Sequence, residues 1–89
     1  MIHEVGAQEK ITYGRNDRFK GGPVGGGRFW RDDEGRPTAK IGGPEEWRPS
    51  GMLVVRVGDT FTVGGQTWKV TDIGEEETSK AYLLCVRLS

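Results

Sequence analysis

The chain has 89 residues, which suits one small domain with a modest core. Its 13 Lys and Arg balance 13 Asp and Glu, so no global field draws it to nucleic acid or to a membrane surface. One cysteine, Cys85, excludes an intrachain disulfide, and with one histidine, His3, the ligands for a structural zinc site are lacking; no metal or other cofactor is expected.

Taken in chain order, Met1 to Lys10 is polar and has no clear period, and two outcomes are open: Ile2 and Val5 anchor it, or residues 1–9 fray. The opening residues carry no apolar core of the signal-peptide kind, and no apolar run is long enough to span a membrane. These features predict a cytoplasmic protein, or one that leaves the cell as part of an assembly. Lys10 to Tyr13 is a short run of β-formers, followed by turn residues at Gly14 to Asp17.

Gly21 to Gly27, GGPVGGG, has too many glycines and a proline to hold a regular element cheaply, and a flexible surface loop is expected. Gly22 and Gly27 have the glycine spacing of a phosphate-binding loop. Arg28-Phe29 stands where Lys-Ser/Thr is needed, however, and no helical pattern follows.

Arg28 to Arg31 and Arg36 to Ile41 flank Asp32-Asp33-Glu34-Gly35, a loop suited to a type I turn closed by a left-handed glycine. Pro37 predicts that the second arm is an edge strand or begins irregularly. Gly42 to Gly51 is a connector in which Pro44 to Trp47 has the composition of one helical turn, with Trp47 folding back on the core.

The strongest signal is Leu53 to Ile73. A strand over Met52 to Val57 ends at a Gly58-Asp59 turn. A hairpin then closes at Gly64-Gly65, a dipeptide that tolerates the positive φ of a type I′ turn. That register puts Phe61, Val63, Trp68 and Val70 on one face and Thr60, Thr62, Thr67, Lys69 and Thr71 on the other. Sliding it by one residue mixes the faces, so the pairing is well specified. Asp59, and Asp72 if the strand continues regularly, would share the apolar face and form a carboxylate pair for acid–base chemistry. A turn-closing role is the simpler reading of Asp59. After a polar loop at Gly74 to Lys80, Ala81 to Leu88 is apolar on both faces, as in a central strand, and Cys85 reads as a small buried hydrophobe.

The expected fold is therefore all-β: one domain holding a small SH3-like barrel or a compact β-sandwich of five to six antiparallel strands, with meander connectivity from Met52 onward. The pattern VGDTFTVGGQTWKVTDI followed by AYLLCVRL resembles short, uncharacterised β-rich proteins of actinobacteria. That resemblance covers the last forty or so residues and implies an all-β fold with no assigned activity.

No catalytic constellation is evident. The first functional expectation is a non-enzymatic module that binds another protein or its own copies, an accessory subunit or particle component. It would dock through the Arg36–Ile41 edge or through Trp30 and Trp47. The alternative is a nucleic-acid-binding barrel. It would use Arg15, Arg18, Lys20, Arg28 and Arg31 for phosphates and Phe29 or Trp30 for stacking.

Overall fold

A computed structural model describes residues 4–44, 47 and 51–89. Eight strands form among these residues: β1 (Gln8–Thr12), β2 (Asn16–Phe19), β3 (Gly22–Arg31), β4 (Pro37–Gly42), β5 (Met52–Arg56), β6 (Thr60–Val63), β7 (Gln66–Gly74) and β8 (Tyr82–Arg87). They make two four-stranded antiparallel sheets, ordered β1-β8-β7-β6 and β2-β3-β4-β5. No α-helix is present among the described residues; Trp47 lies in a 3-10 turn and its N–H donates to the Pro44 carbonyl at 3.0 Å. The all-β expectation holds. The strand number exceeds the five to six expected, and two open sheets replace a closed barrel. Gln8 and Glu9 belong to β1, so the strand begins inside the stretch open to fraying.

The central hairpin has the expected register: Val63 faces Gln66, Thr62 faces Thr67, Phe61 faces Trp68 and Thr60 faces Lys69. Gly64 and Gly65 take φ of +58° and +78°, as a type I′ turn requires. Phe61, Val63, Trp68 and Val70 are buried. The strand before it departs from the meander. β5 pairs with β4, not with β6, so the Gly58-Asp59 turn carries the chain from one sheet to the other.

Between the sheets lies one core, and aromatic rings join its halves. Phe19 of β2 meets Trp68 of β7 edge-on at 4.9 Å and Phe61 of β6 at 6.2 Å. Trp47, from the β4–β5 connector, meets Phe61 at 5.9 Å. Such pairs contribute roughly 0.5–1.5 kcal/mol each beyond area burial. Trp47 also donates its indole N–H to the Thr62 carbonyl at 2.7 Å, which ties the connector to the β6 edge. Gly43 permits this, because a Cβ there would strike the Trp47 ring. The helical turn expected over Pro44 to Trp47 includes residues 45 and 46, which lie outside the described residues.

The largest correction concerns Gly21 to Gly27. It is not a loop. From Gly22 onward it forms the first part of β3, the ten-residue strand shared by β2 and β4. Pro23 lies opposite Arg18, one step beyond the pair flanking a two-residue turn, where an antiparallel ladder asks for no N–H. Gly25 lies where a Cβ would collide with the Asn16 side chain. A Cβ on Gly26 would come within 2.7 Å of the Thr12 carbonyl and 2.8 Å of the Phe29 ring. The backbone is thus packed closely on both sides. Glycine is required there for its missing side chain, and the ladder offsets its entropy.

Two further expectations change. β4 lies between β3 and β5, so Pro37 starts an interior strand, not an edge. A register shift between Val70 and Asp72 turns both Thr71 and Asp72 to solvent and returns Ile73 to the core. Asp59 is exposed as well, and its carboxylate accepts the Arg56 N–H at 2.8 Å, closing its turn. The two acids therefore form no inward pair.

Candidate functional site

The outer face of the β2-β3-β4-β5 sheet is the site that residue alternation and ladder register build. Phe19, Val24, Phe29, Ala39, Ile41 and Val55 point inward and are buried. Their neighbours point outward. Across the strands these are Asn16 and Arg18 on β2, Pro23, Gly25, Arg28 and Trp30 on β3, Thr38, Lys40 and Gly42 on β4, and Met52, Val54 and Arg56 on β5. The register places Arg28 beside Lys40 and Lys40 beside Val54. Arg15 adds a further cation from the turn that precedes β2. Among the described residues, no carboxylate occupies an outward strand position on this face.

The floor is backbone. A groove of ≈ 410 Å³ is lined by Gly25, Gly26, Gly27, Gly42, Gly43 and Gly51 together with Arg15, Asn16, Pro23 and Met52. An extended ligand can approach the sheet closely there, with Arg15 lining the groove.

Among the described residues, the cations on and beside this sheet differ in their pairing. At the β3–β4 tip, Asp32 accepts N–H groups from Glu34 and Arg36 at 2.9 Å each on one oxygen. Its other oxygen pairs with Arg36 Nε at 3.0 Å and Arg56 Nε at 2.8 Å. The Arg36 N–H, the Arg56 guanidinium and the Glu34 N–H hold this carboxyl well below the usual carboxylate range. Arg36 also meets Glu34 at 2.8 Å, and Arg31 meets Glu76 at 3.3 Å. By contrast, Arg15, Arg18, Arg28 and Lys40 have no carboxylate partner among the described residues. Arg28 lies over the Trp30 ring, 4.7 Å from its centroid.

The residues expected from sequence thus separate. Arg15, Arg18, Arg28 and Trp30 come together on the outer face. Lys20 sits in the β2–β3 turn, at the end of the sheet, with its carbonyl against Gly64. Arg31 is engaged with Glu76. Phe29 is 3 % exposed and Trp47 is 9 % exposed, so both are core side chains with no face free to stack or dock. The Arg36–Ile41 arm, expected to accept an added strand, is already paired on both sides. Lys40 on this face was not singled out from sequence, and Arg56, also on it, is engaged with Asp32. Their signal was present as cations alternating with Ala39, Ile41 and Val55.

A second concavity adjoins the groove at Gly27. It has a volume of ≈ 490 Å³ and is lined by Tyr13, Gly27, Arg28, Phe29, Glu77, Thr78 and Ser79. The β7–β8 loop is fixed over it by Glu77 N–H donation to the Phe29 carbonyl at 3.0 Å. Elsewhere, Cys85 is buried at 0 % exposure, and burial, Glu9 and Asp17 push its thiol up to about 12, which removes it as a nucleophile.

Among comparisons with known proteins, residues 6–89 match the model of a family of unknown function, DUF6406. No curated protein and no solved structure matches the chain. The match extends well beyond the forty C-terminal residues that suggested kinship from sequence, and takes in the glycine-rich strand and the basic face. The chain therefore belongs to the DUF6406 family.

Proposed function

We propose that the chain is a non-catalytic binding module whose working surface is the outer face of the glycine-rich sheet, and that its ligand is single-stranded nucleic acid. One observation supports the reading: four cations without a salt bridge among the described residues, Arg15, Arg18, Arg28 and Lys40, share the outer face of one sheet in a chain of zero net charge, and Arg15 lines the backbone-floored groove on that face. Cations at a groove rim track phosphates, and the bare floor leaves room for the strand. Trp30, with Arg28 on its ring, supplies a stacking plane at one end. Of the docking surfaces expected from sequence, the Arg36–Ile41 arm is interior and Trp47 is buried, which leaves Trp30 on the basic face.

Fluorescence anisotropy with a labelled ten-nucleotide strand tests the reading. Binding at low salt is expected, with a log–log salt slope of roughly −0.7 for each phosphate neutralised, or about −3 for four. Arg28→Glu together with Lys40→Glu should weaken it at least about tenfold. Absence of binding at low salt, or binding indifferent to salt and to both reversals, would remove the proposal.

A further inference from the structure

The cleft beside the groove combines features that no part of the fold requires. Glu77 is held at φ of +64° and Glu75 at +54°, a left-handed backbone that non-glycine residues adopt only at an energetic cost. The strained loop is secured from both directions. The Thr78 hydroxyl donates to the Glu75 carbonyl at 2.7 Å and accepts the Lys80 N–H at 3.1 Å. The Glu77 N–H is bonded to β3. The outcome is a carboxylate placed at the rim of a cleft without a cation or hydrogen-bond donor of its own among the described residues. The Ser79 hydroxyl beside it is likewise uncommitted.

The other lining groups point to a composite ligand. Tyr13 is 48 % exposed and presents an aromatic ring. Arg28 belongs both to this cleft and to the basic face. A ligand that satisfies all of them has a flat π-body for Tyr13, an anionic group for Arg28 and a hydrogen-bond donor edge for Glu77. A nucleobase on its phosphate has all three. The donor edge discriminates among bases. Guanine offers two adjacent N–H donors that match a carboxylate in a bidentate pair, whereas thymine flanks its single N–H with two carbonyls that repel one.

From this arrangement we infer that the Tyr13–Arg28–Glu77–Ser79 cleft is a nucleobase subsite that prefers guanine to thymine, with Glu77 reading the base edge. The inference rests on the nucleic-acid reading of the adjoining groove. It adds a base preference that cations alone cannot provide, since phosphate contacts carry no sequence information.

The test compares an eleven-nucleotide thymine strand with the same strand carrying one central guanine, together with free guanosine monophosphate as competitor. The full chain and its Glu77→Gln variant are both titrated. Glutamine is close to isosteric with glutamate, so the fold is retained, and circular dichroism of the variant checks that. The guanine strand should bind roughly tenfold more tightly, and Glu77→Gln should abolish the preference while leaving affinity for the thymine strand equal or higher. Displacement by the free nucleotide identifies a mononucleotide as sufficient, and its failure to compete assigns the subsite to a base within a strand. Equal affinity for the two strands would overturn the subsite and leave the groove reading standing. No binding by any strand or by the nucleotide would overturn both.

Discussion

Asp17 lies on the inward face of β2, opposite Val24, with one carboxylate oxygen buried and without a partner among the described residues. Burial, reinforced by Glu9, raises its pKa above the ordinary aspartate value. The fold therefore favours the protonated form. Stability associated with that form is present at low pH and is lost as pH rises through the raised pKa. Asp17→Asn keeps the shape without the charge, so its melting temperature at pH 7 should exceed that of the parent by a few degrees. The difference should shrink toward pH 3, where Asp17 is neutral in both states. A variant less stable at pH 7 would contradict this account. Sequence reading placed Asp17 in a turn, whereas it lies on β2. Its inward direction depends on the pairing of β2 with β3, which the glycine composition obscured. Lys40 was overlooked for the converse reason: the strand was read as an edge for docking, and which face its charge served was not asked.

At the level of elements, the β6–β7 hairpin was legible because three local signals agree. Alternation fixes the faces, Gly64-Gly65 fixes the turn, and aromatic residues fix the buried side. Its two glycines are nevertheless unequal. A Cβ on Gly64 would strike the Lys20 carbonyl of the β2–β3 turn, whereas Gly65 has nothing within 4 Å. Both substitutions by alanine meet the left-handed penalty of about 1–2 kcal/mol. Gly64→Ala must also push two hairpin tips apart, so its loss of unfolding free energy in urea should exceed that of Gly65→Ala by about 1 kcal/mol or more. Equal losses would mean that the tips do not touch. β3 was illegible because its glycines answer to contacts made by residues distant in sequence, Thr12 and Asn16 among them. Composition read them as freedom, whereas in the fold they mark close approach. The same non-local origin hides the Val70–Asp72 shift, which reverses the direction of Asp72 without any signal in the alternation.

For the whole molecule, zero net charge conceals a partition. Carboxylates gather at the β3–β4 tip, where Asp32 and Glu34 hold Arg36 and Asp32 also holds Arg56, and in the β7–β8 loop, where Glu76 holds Arg31. The outer face of the glycine-rich sheet keeps Arg18, Arg28 and Lys40 without a salt bridge among the described residues. The outer face of the other sheet is of a different kind, with Lys10 beside Leu84 and Lys69 beside Val86, and an acid, Asp72, beside Leu84. The architecture thus presents two faces of unlike chemistry around one core. The sequence indicated an all-β domain and singled out Arg15, Arg18 and Arg28, but not the sheet that gathers them with Lys40. The central claim is that ligand binds on the glycine-rich face. Its most direct test is an amide and indole chemical-shift map of the isotope-labelled chain titrated with a short single strand at low salt. The account predicts shifts at Gly25, Gly27, Arg28, Lys40, Val54 and the Trp30 indole, with Lys10, Lys69, Leu84 and Val86 unmoved. Shifts confined to the latter group, or none at saturating strand, would contradict it.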